Sequence, residues 1–82
     1  MPSRYSDHMA NIPIEIKATD HIEAKRIQSL YQRGERHNGL EKEVTDEVWS
    51  RGWTPIARPI FIGLSNGQPI LYRFEVPVDT ST

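Results

Sequence analysis

Two apolar runs flank Asn66-Gly67 in the stretch IARPIFIGLSNGQPILYRFEVPV, from Ile56 to Val78, which constrains the fold more than any other part of the chain. A type I′ turn needs φ > 0 at both central residues, and Asn-Gly meets that need at little steric cost. The segment therefore reads as a β-hairpin with a two-residue loop. Such a loop sets Ser65 opposite Gln68, Gly63 opposite Ile70, Ile62 opposite Leu71, Phe61 opposite Tyr72 and Ala57 opposite Val76. Side chains alternate between the faces of a strand, so the register sorts them. One face carries Ala57, Pro59, Phe61, Gly63, Ile70, Tyr72, Phe74 and Val76, and is the expected core. The other carries Arg58, Ile60, Ile62, Leu64, Leu71, Arg73 and Glu75, apolar near the turn and charged at the far end, with Arg58 across from Glu75. Pro59 falls at a hydrogen-bonded pair without an N–H to donate, so the ladder is expected to end or bulge there. Pro69 falls at a non-hydrogen-bonded pair, where its missing donor costs nothing.

Upstream, Asn11 to Ala18 alternates Ile12, Ile14, Ile16 and Ala18 against Pro13, Glu15 and Lys17. This is a half-buried strand, and Pro13 suits an edge. Thr19 to about Arg33 reads as a helix. Asp20 followed by Glu23 resembles a capping box, and Ala24, Ile27, Leu30 and Tyr31 form one apolar stripe that Ile22 does not join. Gly34 is the natural C-cap. After the loop Gly34 to Gly39, Leu40, Val44 and Val48 favour a short helix stopped by Gly52, with Trp49 off its stripe and Trp53 just beyond. Thr45 offers an alternative cap for a helix covering only Asp46 to Arg51.

The expected architecture is a two-layer α+β fold, β-α-(α)-β-β, with a small, mainly antiparallel sheet and one helix packed on one face. Residues 11–78 form the single domain. Residues 1–10 are read as a flexible leader, with His8-Met9-Ala10 resembling a cloning junction, and residues 79–82 as a flexible tail.

With 82 residues and no cysteine, no disulfide supports the core, and His8, His21 and His37 lack metal-ligand spacing. No cofactor is expected. The formal charge of −1 and pI near 6.3 exclude a bulk electrostatic attraction to nucleic acid or acidic membranes. No apolar run approaches a membrane span, and a soluble, cytoplasmic protein is expected.

Catalytic chemistry finds little support. Ser29 and Ser65 lack the neighbours of a nucleophile, and Asp20-His21 is more simply a helix cap beside an exposed histidine. Gly34 and Gly39 follow a helix and lack the Lys-Ser/Thr of a phosphate loop. The acidic run Glu41, Glu43, Asp46 and Glu47 reads as solvated helix decoration, without the alternating pattern of a calcium loop.

Two binding surfaces remain. One helix covers only one side of a sheet, so Ile60, Ile62, Leu64 and Leu71, with Trp49, Trp53, Arg58 and Arg73 as anchors, are expected to engage a protein partner or a second copy as a homodimer. The exception is a second helix folded over that patch. The expected function is a small non-enzymatic binding or accessory module. The alternative is a nucleic-acid-binding accessory protein using Lys25, Arg26, Tyr31, Arg33, Arg36 and His37, against the simpler account of a solvated helix face.

Overall fold

The computed structural model describes residues 9–80. It contains β1 (Met9–Lys17), α1 (His21–Gln32), α2 (Asn38–Ser50), β2 (Thr54–Pro55), β3 (Ile60–Leu64) and β4 (Leu71–Asp79). The strands form one antiparallel sheet with β4 in the middle: β1 runs along one edge of β4, and β3 and β2 share the other. The α+β two-layer expectation holds. The leader at residues 1–8 and the last two tail positions lie outside the described residues. Met9 and Ala10, expected in the leader, belong to β1, and Asp79, expected in the tail, closes β4 opposite Met9 and Thr54.

The alternation of β1 is realised. Ile14 and Ala18 are buried and Ile12 and Ile16 pack against the core, while Asn11, Pro13, Glu15 and Lys17 face water. Its register on β4 is unbroken, and the Ala18 N–H donates to the Ile70 carbonyl at 2.9 Å just beyond the strand. In an antiparallel ladder every second pair exchanges hydrogen bonds, so the even residues of β1 and β4 are bonded to each other. Pro13 is an odd residue. Its missing N–H points to the free edge and costs the sheet nothing.

That parity overturns the expected two-residue turn. A Ser65/Gln68 pair would have asked the even residues of β4 to bond β3, and β1 already holds them. The observed loop is longer: the Ser65 N–H donates to the Leu71 carbonyl, and the Ser65 Oγ accepts from the Leu71 N–H, both at 2.9 Å. Phe61 therefore stands opposite Phe74 rather than Tyr72, and Ile60, not Arg58, stands opposite Glu75. Pro69 sits in the loop, outside the ladder. The ladder does stop at Pro59, which is buried.

A bulge at Ile62 separates the Phe61–Phe74 pair from the Gly63–Arg73 pair. Gly63 has φ +149°, which side chains with a Cβ rarely adopt. The extra residue turns Leu64 onto the side of Tyr72, so Leu64 packs against the core instead of joining Ile60 and Ile62 on the opposite face. Ala57, assigned to the core face, is exposed ahead of β3.

Asp20 caps α1 as expected, accepting the Glu23 N–H at 2.8 Å, but Glu23 turns to Arg26 and completes no capping box. α2 begins at Asn38, so the Thr45 cap is not used. His37 Nδ1 accepts the Leu40 N–H at 2.9 Å. Both helices pack on the same face of the sheet, α1 along β3 and α2 across β1, β2 and β4. Ala24, Ile27, Leu40, Val44 and Val48 meet Ile14, Tyr72, Phe74, Val76 and Val78 there, with Trp53 packed at the margin. The other face stays uncovered, because the second helix takes a place beside the first.

Phe74→Ala removes the largest fully buried side chain and is expected to lower stability by about 3–5 kcal/mol in urea unfolding. Ile22→Ala, at a residue 76% exposed, is expected to change it by no more than about 0.5 kcal/mol.

Candidate functional site

The polar centre of the molecule is a carboxylate that lies on an apolar stripe. Glu41 stands three residues before Val44 and seven before Val48, so it turns inward with them and is only 5% exposed. Tyr31, on the inner side of the last turn of α1, donates its hydroxyl to Glu41 Oε2 at 2.6 Å. Arg36 Nε lies 3.2 Å and 3.4 Å from the two carboxylate oxygens, and an Arg58 terminal nitrogen lies 3.3 Å from Oε1. Both guanidinium groups reach further. Arg36 donates to the Pro59 carbonyl at 3.0 Å, and Arg58 to Asn38 Oδ1 at 3.2 Å. A buried carboxylate is costly unless its lone pairs are filled. Here both oxygens are bonded, and among the described residues no buried side-chain polar atom lacks a partner.

The Tyr31 ring is fixed by aromatic packing. It stacks on Phe61 with centroids 4.6 Å apart and meets Phe74 edge-on at 5.9 Å. Burial, and then the bond to Glu41, pushes its hydroxyl pKa up to about 12. Burial, with Glu23 as the next cause, also raises that of Tyr72. Tyr31 thus stays a neutral donor, and Glu41 is an occupied acceptor joining α1, α2 and the approach to β3. This arrangement braces the structure.

The structure divides the expected hydrophobic site. Ile60, Ile62, Leu71 and Arg73 remain on the uncovered side, with Arg73 Nε 3.5 Å from Glu15. Leu64 and Trp53 pack against the core, and Arg58 turns to Glu41. Trp49 is exposed on α2, in the other layer.

The expected basic set is largely spent within the chain. Arg26 pairs with Glu23, Arg33 with Glu35 and Arg36 with Glu41, while His37 caps α2. Among the described residues Lys25 alone of this set makes no such contact. In the acidic run, Asp46 pairs with Lys42 and Glu47 with Arg51. No group of three His, Cys, Asp or Glu side chains among the described residues could hold a metal ion.

A cleft of about 320 Å³ separates α1 from β3, lined by Gln28, Gln32 and Tyr31 on one side and Ile60 to Gly63 on the other. Arg36 closes one end. No local sequence pattern marks it, because it depends on β3 being an edge strand with a helix alongside. No protein-family model, curated protein or solved structure matches this chain.

Tyr31→Phe is expected to cost about 1.5–3 kcal/mol at neutral pH, the loss of a hydrogen bond to a charged acceptor. In the native chain the Tyr31 pKa stands above its ordinary value of 10.0, so its contribution is complete below pH 10 and is lost as pH rises through about 12. Urea midpoints across that window should fall less steeply in Tyr31→Phe, with Tyr72 supplying the remaining slope. Separately, His37→Ala should lower stability by about 1 kcal/mol and His37→Asn should retain most of it, as thermal unfolding would show.

Proposed function

We propose that this chain is a small, non-enzymatic binding module that engages a protein partner through the β3 side of its sheet. The carrying observation is that both helices cover one face, leaving Ile60 and Ile62 on the edge strand 47% and 50% exposed. A non-catalytic role is supported by the one buried carboxylate among the described residues, which is occupied by Tyr31, Arg36 and Arg58. Magnitude narrows the mode of binding. Burying the exposed half of an isoleucine is worth about 1 kcal/mol, so the pair contributes about 2 kcal/mol. Micromolar affinity needs about 8 kcal/mol. A partner must draw the rest from polar or main-chain contacts beside these residues.

Ile60→Gln combined with Ile62→Gln is expected to lower stability by about 2 kcal/mol in urea unfolding, the worth of the two buried halves, and to keep the fold, with no new carboxylate set opposite Glu75. Proteins retained from source-cell lysate by the immobilised native chain should be lost with this variant. Retention of the same proteins by the variant would overturn the reading. Light scattering separates the homodimer alternative, since a 9.5 kDa monomer that captures a different protein needs no second copy.

A further inference from the structure

We propose that the cleft between α1 and β3 takes an extended acidic peptide, which adds a strand to the free edge of β3 between Lys25 and Arg36. This rests on the binding-module reading and names its partner class. Three observations carry it.

The first is the main chain. Ser65 bonds Leu71, and the even residues of β4 belong to β1, so β3 bonds the odd residues of β4. Phe61 and Leu64 stand opposite even residues, and their N–H and C=O groups therefore point away from β4, toward the cleft. Outward main-chain groups on an edge strand are what an added strand pairs with. Pro59 obeys the same parity, and its outward carbonyl is already taken by Arg36, which marks where added pairing stops.

The second is shape. A second hollow, which shares Gln28 with the cleft, lies further along α1 at Lys25 and His21, opposite Leu64 and Ser65. The helix is about 18 Å long at 1.5 Å per residue, and β3 about 17 Å at 3.3 Å per residue. An extended segment of about five residues fits between them, within reach of the Gln28 and Gln32 amides.

The third is charge. No carboxylate lines the cleft; Lys25 at one end makes no ion pair among the described residues, and Arg36 at the other, though paired with Glu41, keeps part of its side chain in water. The neighbouring hollows, by contrast, are lined by Glu41 or by Glu23 and Glu43. An acidic chain is favoured on this ground over a second copy, whose antiparallel β3 would bring Lys25 and Arg36 of the two copies together with like charge. A single-stranded nucleic acid is disfavoured because Tyr31 and Phe61 turn their faces on each other rather than toward a base.

The test is a ¹⁵N-resolved NMR titration of the full chain with an acetylated, amidated hexapeptide of alternating valine and glutamate. Saturable shifts are expected at the Phe61 and Leu64 amides and at the Gln28 and Gln32 side chains. Lys25→Glu, at an exposed helix position, should keep the fold and weaken binding about fivefold, the worth of a rim ion pair. N-methylation of three consecutive peptide nitrogens keeps the side chains, removes the donors and should abolish binding. Shifts confined to Leu71 and Arg73 would overturn the proposal, as would equal binding of a valine–lysine hexapeptide or tighter binding of a ten-nucleotide oligothymidylate. Absence of saturable shifts at millimolar peptide would also overturn it. Partner capture that needs Ile60 and Ile62 yet ignores Lys25→Glu and excess peptide would remove the cleft mode while leaving the wider reading standing.

Discussion

β4 is hydrogen-bonded along both edges, and that double claim places every other strand. Each residue of a strand sends its N–H and C=O to one side only, so the even residues of β4 go to β1 and the odd ones to β3 and β2. Pleating sends the even side chains Tyr72, Phe74, Val76 and Val78 into the core and leaves Arg73 outside. Even Pro77, an unusual residue for a middle strand, is accommodated. It lies where β2 gives way to β3, and its carbonyl still accepts the Ile56 N–H at 3.0 Å.

Glu41 performs a second kind of placement. An isolated carboxylate in that position would be strongly destabilising, and Tyr31, Arg36 and Arg58 offset the cost from three parts of the chain. The two arginines keep one side in water, which screens their attraction, so the arrangement contributes more to position than to stability. Through the bond from Arg36 to the Pro59 carbonyl it sets where β3 starts and holds one end of the α1–β3 cleft.

The resulting asymmetry gives the molecule its functional character. Two helices share one face, and the opposite face has only β-strand side chains of mixed type. Exposed apolar surface gathers at β3, where Ile60 and Ile62 stand next to an edge with outward main-chain groups. At β1, the other edge, Pro13 withdraws one outward donor and Glu15 and Lys17 keep their charges in water, so that edge is guarded against pairing.

Much of this was legible in the chain because it depends on local chemistry. The alternation of Ile12, Ile14, Ile16 and Ala18, the cap at Asp20, the stripe through Ala24 and Ile27, the stop at Pro59 and the core set of β4 follow from pleat, helical period and proline's missing donor. Glu41 left a readable trace too, since its spacing to Val44 and Val48 put it on a buried stripe. The turn at Asn66-Gly67 departs from the local expectation because β1 holds the even residues of the second strand, which no hairpin taken alone reveals. Only the assembled sheet determined the register, the bulge that turns Leu64 inward, and the choice of both helices for one face. Local sequence sets which side of an element is apolar; which neighbour uses that side, and which edge stays open, is decided by strands and helices competing for the same β4.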